Sequence, residues 1–373
     1  MTQRLVGGKV AHTPVARFSF KSVPPMVAFA LTQILGCGGG TSGNGPNGGS
    51  NGHGDGGTLV DGRGRPISGS RDGGPDARVV LGAMIAFDGP GRNGHDIYIV
   101  RAGESDATDL TRKGGVAEEY AAWSPGGSRL AFGGDELRVM NYPPDGIFTV
   151  LASFVFETSR GVIESPSWSP DGSRIVFARH NDNETLDIFT VPSDGSAGPT
   201  PIYMVARHKA YSPAWSPDGA RIAFILDAFL YAGGPYGIYT MRPDGSELTP
   251  VLLGDTGSTR FGGLGALAWS PDGRQLFFTE KGLYGGDGIL FIDAMAPGKP
   301  VRLIATAREG GPISFSPDGT RMAFEVEYPN DRGSTTCCDI NAANVDGSGE
   351  KTLVSHTKFS SSILRRPAWY PGE

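Results

Sequence analysis

Cysteine is scarce in this sequence: Cys37, Cys337 and Cys338 are the only three, and the last two are adjacent, so no disulfide framework is available to hold the fold. Long apolar runs are missing too. The stretch from Val23 to Leu35 is broken by Pro24 and Pro25 and falls short of the roughly 20 apolar residues that a spanning helix needs. Positive charge is in deficit, with 33 Lys and Arg against 39 Asp and Glu and a formal net charge of −6. Arg4, Lys9, Arg17 and Lys21 precede residue 37 with no acidic residue among them, so the remainder of the chain is more acidic still. Such a surface repels phosphate backbones, which excludes a nucleic-acid partner. Histidine is also sparse. His12, His53, His95, His180, His208 and His356 include no close pair of the kind a zinc site uses, and no cofactor or metal is expected.

Glycine and proline are abundant. The 58 glycines and 28 prolines make up about 23% of the chain, against roughly 12% in an average protein, which calls for many turns or an unfolded stretch. Both readings apply, to different segments. Residues 38–78 are a Gly/Ser/Asn run with little to bury and read as a flexible tether, whereas 79–373 carry apolar groups in short, evenly spaced bursts.

Those bursts repeat. Trp123-Ser-Pro-Gly-Gly127, Trp168-Ser-Pro-Asp-Gly172, Trp215-Ser-Pro-Asp-Gly219, Trp269-Ser-Pro-Asp-Gly273, Phe315-Ser-Pro-Asp-Gly319 and Trp369-Tyr-Pro-Gly372 recur every 45 to 54 residues. A period of this size is that of propeller blades. All five tryptophans occupy this one position, with Phe315 in the remaining repeat. In each repeat the Pro pre-sets a corner and the Gly accepts the positive φ that closes a hairpin. A second strand follows, as in Ile175-Val-Phe177 or Ile222-Ala-Phe224, then a third such as Asp187–Val191 and a β-rich fourth. Ala or Ser stands before each large aromatic, so large and small groups fall on opposite faces and neighbouring repeats can interdigitate. The tryptophans are therefore read as wedges between blades rather than ligand platforms.

The two ends complete the count. Ile85-Ala-Phe87, Asp96–Val100 and Thr108–Thr111 match strands two to four of a repeat without its first, and Arg366–Pro371 match a first strand without the rest. The expectation is an all-β, six-bladed β-propeller over 79–373, closed by pairing of its N- and C-terminal strands, which leaves no open sheet edge.

The Pro-x-Trp-Ser-Pro-Asp-Gly and Arg-Ile-Ala-Phe motifs make residues 79–373 similar to the TolB-like propeller repeats, a class that also includes propellers fused to prolyl peptidases and those of oligogalacturonate lyases. TolB itself carries an α/β domain ahead of its propeller, and here the tether takes that place. The box Ile34-Leu35-Gly36-Cys37 behind a basic, then apolar, stretch resembles a bacterial lipoprotein signal. That resemblance implies a signal peptide over 1–36, a lipid on Cys37 and a location in the periplasm or at the outer membrane. Gly39, standing where an aspartate would retain the protein, points to the outer membrane. An ordinary secretory leader is the alternative.

Motifs that spell catalysis sit in the wrong places. Gly48-Gly-Ser-Asn-Gly52 has the letters of a hydrolase elbow but lies in the tether, and Gly89–Gly94 spells a dinucleotide fingerprint between two strands of one repeat. The resemblance to oligogalacturonate lyases implies a metal at the propeller funnel. For that role His95, His180, His208 and His356 fall on one edge, although solvated loop histidines are the simpler expectation. The turn aspartates Asp171, Asp218, Asp272, Asp318, Asp194, Asp244 and Asp346 are read as structural, and Cys337-Cys338 as packing, with calcium ligation and a redox-labile pair as the alternatives. No catalytic residue is expected.

Tight turns fall on one face and variable loops on the other, and loops of a rigid scaffold are where function concentrates. Phe229, Tyr231, Tyr236, Tyr284 and Tyr328 lie in those loops and are the candidate partner-binding residues. The expected function is an envelope-anchored binding or scaffold module, a monomeric propeller without catalysis, presenting this face to an envelope protein or glycan and meeting the membrane through its N-terminal lipid. The alternative is a polysaccharide lyase or hydrolase with a metal in the funnel.

Overall fold

The computed structural model describes residues 84–91, 94–101, 104, 106–112, 117–154, 162–181, 185–204, 208–227, 236–253, 263–280, 288–296, 298–304, 311–329, 335–358 and 364–372. The Cys37 box, the tether and the candidate residues Phe229, Tyr231 and Tyr284 lie outside the described residues, as do the side chains of Tyr328 and Cys337.

Twenty-four strands are seen among the described residues, and they form six antiparallel four-stranded units, three of which are joined into a twelve-stranded sheet by single bridges, Gly134 to Ile163 and, in parallel sense, Leu186 to Lys209. The Trp123 unit comprises β4 (Glu118–Trp123), β5 (Arg129–Gly134), β6 (Glu136–Asn141) and β7 (Phe148–Ser153). The Trp168 unit comprises β8 (Ile163–Trp168), β9 (Arg174–His180), β10 (Leu186–Pro192) and β11 (Thr200–Tyr203), and the Trp215 unit β12 (Lys209–Trp215), β13 (Ile222–Asp227), β14 (Tyr236–Met241) and β15 (Thr249–Leu253). Next come β16 (Leu264–Trp269), β17 (Gln275–Glu280), β18 (Gly288–Asp293) and β19 (Val301–Ile304). The Phe315 unit follows with β20 (Ser314–Phe315), β21 (Arg321–Pro329), β22 (Thr335–Asn344) and β23 (Lys351–Val354).

The sixth unit takes strands from both ends of the repeat region. β24 (Arg365–Trp369) pairs with β1 (Met84–Gly91), setting Ile85 opposite Trp369 and Ala86 opposite Ala368; β2 (Gly94–Arg101) and β3 (Thr108–Asp109) complete the sheet. The terminal pairing expected from the split repeat is present.

Each Ser-Pro-x-Gly hairpin closes in the same way. The amide of Gly127, Gly172, Gly219, Gly273 or Gly319 donates to the carbonyl of the serine three residues earlier, with glycine φ between +68° and +71°. The turn aspartates act as the structural reading required. Asp171 accepts from Ser169 Oγ at 2.5 Å and from the Ser173 amide at 3.0 Å, and Asp218, Asp272 and Asp318 repeat both contacts in their own turns. These hydrogen bonds hold the Asp171 carboxyl down at about 2.

The core lies between units rather than within them. Phe87, Phe132, Phe177, Phe224, Phe278 and Phe324, the aromatics of the second strands, are all fully buried, each contributing about 2–3 kcal/mol of hydrophobic stabilisation. Six apolar clusters each join two neighbouring units. One of them brings Ile85, Phe87 and Trp369 against Ala323, Ile340 and Val354, so the Phe315 unit packs on the unit shared by the termini.

The first-strand tryptophans hold neighbouring units by hydrogen bonds as well as by volume. The indole N–H of Trp123 donates to Ala368 O at 3.2 Å, that of Trp168 to Ala122 O at 2.9 Å and that of Trp269 to Ala214 O at 3.1 Å. Each acceptor is the small residue before the aromatic of the preceding unit. Where that residue is serine the arrangement changes: Ser167 Oγ and Ser314 Oγ accept the main-chain N–H of Trp215 and Trp369 instead. Both indole N–H groups are then left without a hydrogen bond among the described residues.

Candidate functional site

The first strands are not regular. In five units two residues of the first strand oppose one of the second: Tyr120-Ala121 face Phe132, Ser165-Pro166 face Phe177, Ser212-Pro213 face Phe224, Gly265-Ala266 face Thr279 and Arg366-Pro367 face Phe87. These are β-bulges, which re-aim side chains. In four of them the leading residue is left-handed, with φ of 62° at Tyr120, 54° at Ser165, 51° at Ser212 and 56° at Arg366. A non-glycine residue held there costs on the order of 1–3 kcal/mol, so the fold spends stability at four equivalent positions.

All four residues meet at one cavity of about 260 Å³ that takes its lining from every unit. The Trp269 unit contributes Gly265 and Ala266, and the Phe315 unit contributes Pro312 with the carboxylates Glu325 and Glu327. A second cavity of about 350 Å³ is lined by the same first strands further along, including all five tryptophans and Pro125, Pro217 and Pro371 of the tight turns. The first cavity is therefore charged, and the second aromatic.

Arg366 organises the charged cavity. Its Nη1 donates to Asp88 Oδ2 at 2.7 Å and Glu119 Oε2 at 2.8 Å, and its guanidinium lies 3.7 Å from the centre of the Tyr120 ring. The Tyr120 amide donates to both oxygens of Asp88, and its hydroxyl donates to Glu164 Oε2 at 2.9 Å. His95 Nδ1 sits 2.6 Å from Glu119, and His180 Nε2 sits 2.7 Å from Glu164. The network thus spans three units and residues from 88 to 366. On the other side Arg365 approaches Glu325 at 3.6 Å and Glu327 at 4.0 Å, and the Cys338 thiol faces Glu327 at 4.0 Å.

Burial and charge pull these carboxyls in opposite directions. Burial pushes Asp88 up to about 6 in spite of Arg366, and pushes Glu325 up to about 7 in spite of Arg365 and Arg366. Burial acts upward on Glu119 as well, but the His95 hydrogen bond and the Arg366 charge outweigh it and hold that carboxyl at about 2. Glu164 follows Glu119: its burial is outweighed by His180 and Tyr120, and it is lowered. The Cys338 thiol is driven up by burial and by the two glutamates beside it.

Of the candidate partner residues, Tyr236 is the one whose side chain is described. It is half-buried, packs with Tyr211 on the apolar cluster between two units, and accepts the Leu264 amide at 2.8 Å; burial raises its hydroxyl to about 12. The Tyr211 hydroxyl donates to Leu264 O at 2.8 Å, so the two tyrosines grip one main-chain residue of the next unit. Tyr328 lies in β21, paired with Cys337 of β22, and Tyr236 opens β14, so both belong to strands and not to the loops expected of them, because the third-strand pairing extends further than the spacing suggests. The expectation of loop histidines is corrected for His95 and His180, which belong to strands; His208 and His356 lie in the inter-unit connections expected of them, and His95, His180 and His356 are each bound to their own carboxylate. Glu325, Glu327 and Cys338, with donor atoms within 4.8 Å of one another, form the one metal-capable group among the described residues.

The residues that build the cavity were not singled out from the sequence, although aligned repeats carry a signal for two of them. After the second-strand Phe the repeats read Gly133, Ala178, Ile225 and Thr279, whereas the other two place a carboxylate there, Asp88 and Glu325.

No described protein family matches the sequence, and no curated protein does. Solved structures match the fold. TolB from Acinetobacter baumannii superposes with a TM-score of 0.59 at 17% identity, over 77% of this chain and 66% of that one, so the chain spans just under two thirds of that TolB. The Nidogen/Laminin complex gives a TM-score of 0.59 at 11% identity, over 78% of this chain and 100% of the other. An oligogalacturonate lyase in complex with manganese gives 0.50 at 14% identity, over 73% and 74%. At these identities the likeness is one of fold: the chain is an all-β protein of propeller type, similar to binding proteins and to enzymes alike.

Proposed function

We propose that the chain is a cell-envelope binding module, lipid-anchored through Cys37, whose six units close into one propeller and whose charged cavity and surrounding loops receive a protein or glycan partner. The observation that carries this reading is the convergence of four left-handed bulge residues, Tyr120, Ser165, Ser212 and Arg366, on a single cavity. Backbone strain repeated at equivalent places and aimed at one space is a feature of a site more than of a packing core. The partner-contacting rim proposed in this reading consists of Phe229, Tyr231 and Tyr284, and the likeness to TolB and nidogen supports a module that binds. To test it, Tyr231→Ala with Tyr284→Ala is compared with the turn pair Asp171→Ala and Asp218→Ala in cross-linked capture from envelope extracts. The rim variant loses the partner and the turn variant keeps it; the reverse result overturns the reading.

The fold likeness to a manganese-bound lyase raises a second reading, a metal-dependent polysaccharide lyase, which the donor set here fits poorly. A thiol is a soft ligand that manganese does not favour, Cys338 is held protonated by its surroundings, and Arg365 already lies beside both glutamates. His95, His180 and His356 are each joined to a separate carboxylate rather than to one centre. Metal analysis of the purified chain decides between the two, since a stoichiometric transition metal would favour the lyase.

A further inference from the structure

The charged cavity is short of positive charge. Glu164, Glu325 and Glu327 line it and Asp88 and Glu119 stand behind, five carboxylates facing the two guanidinium groups of Arg365 and Arg366. Once Asp88 and Glu325 ionise, above about pH 7, the five carboxylates outnumber the two guanidinium groups. Arg366 is committed to Asp88 and Glu119 and stacks on Tyr120, so it offers little to an incoming anion. A low-dielectric cleft that carries a net charge concentrates ligands of the opposite sign.

We infer that this cavity takes an organic cation, a primary ammonium or guanidinium group, held by Glu164, Glu325 and Glu327 with the Ser165 and Ser212 hydroxyls as further acceptors. The inference rests on the binding reading above and names the chemistry of what enters. Both a lysine or arginine side chain of a peptide and a free polyamine carry this group. An anionic ligand would meet carboxylates, and a neutral one would leave the excess charge uncompensated.

Proton release follows from the same geometry. Asp88 faces Arg366, Glu119 and the Tyr120 amide; Glu325 faces Arg365, Arg366, Glu327 and Cys338. Burial keeps both carboxyls partly protonated near pH 6, and a cation placed among them drives those protons off. Affinity for the cation therefore rises with pH from 5 to 8, and binding at pH 6.5 releases protons.

The test is titration calorimetry on the full chain with acetyl-Ala-Lys-Ala-amide, its arginine, norleucine and glutamate counterparts, and putrescine. At least one cationic probe binds with a Kd on the order of 1 mM or tighter, at least tenfold better than the norleucine or glutamate peptide. The better of peptide and polyamine identifies the carrier. Glu164→Gln and Glu327→Gln each weaken that binding at least fivefold, with thermal melts showing that both variants fold. Titrations at pH 6.5 in buffers of different ionisation enthalpy show proton release. Equal binding of lysine and norleucine peptides, preference for the glutamate peptide, or binding of calcium chloride alone overturns the inference. If none of the cations binds while rim variants still lose the envelope partner, the binding module stands and the cation assignment falls.

Discussion

Replacing Glu325 with glutamine should stabilise this protein at pH 8 and leave it unchanged at pH 5. The carboxyl lies on β21 beside Glu327, with Arg365 at 3.6 Å, and burial raises it from 4.5 to about 7. A raised carboxyl binds its proton more tightly in the folded than in the unfolded chain. Its stability contribution is therefore complete below about pH 4 and disappears as pH rises through 7. A shift from 4.5 to about 7 corresponds to about 3 kcal/mol in all, most of it lost between pH 5 and 8. Glutamine has the shape of the protonated acid and nothing to ionise, so Glu325→Gln avoids that loss. At about 2–4 °C per kcal/mol for a domain of this class, the melting temperature at pH 8 should exceed wild type by roughly 5–10 °C. Thermal melts of both proteins at pH 5 and pH 8 provide the assay. Glu164→Gln is the control of opposite sign, because Glu164 is lowered by His180 and Tyr120 and its loss should destabilise at pH 8. Equal shifts of Glu325→Gln at both pH values, or destabilisation at pH 8, would refute the charge deficit assigned to the cavity.

Trp369→Ala should lower unfolding free energy by about 3–5 kcal/mol in urea titrations, since it empties a buried site in the cluster joining β24 to the Phe315 unit. Arg129→Ala should cost about 2 kcal/mol, because that guanidinium lies over Trp168 and donates to Gly172 O and Ser193 O of the next unit; Arg129→Lys should recover little of it, which thermal melts will show. Tyr236→Phe removes the acceptor of the Leu264 amide and should cost about 1 kcal/mol by the same measurement. Cys37→Ser should move the chain from the membrane to the soluble fraction of the envelope, or leave an unprocessed precursor, on fractionation.

Much of the fold could be read from the chain because it is written six times. The Trp-Ser-Pro-Asp-Gly hairpin needs only local chemistry: a proline corner, an aspartate that bonds its own turn and a glycine at positive φ. Because the motif recurs, even a pairing between strands almost 300 positions apart, that of Ile85 with that of Trp369, could be deduced from a repeat split between the ends. The buried phenylalanines and the inter-unit role of the tryptophans came from the same alternation of large and small residues.

The cavity was of a different kind. Nothing in local spacing tells Tyr120, Ser165, Ser212 and Arg366 that they will take a left-handed conformation, because that follows from a bulge, and a bulge is a mismatch between two strands rather than a property of either. Histidines that the sequence placed in solvated loops acquired carboxylate partners for the same reason, His95 finding Glu119 on the neighbouring unit. By itself the sequence determined the repeat, its strands and its closing pair, since each depends on patterns that act within a few residues or are copied between repeats. Tertiary structure alone decided which charges share one buried space, because Coulomb energy and desolvation depend on distance through the folded molecule and not along the chain.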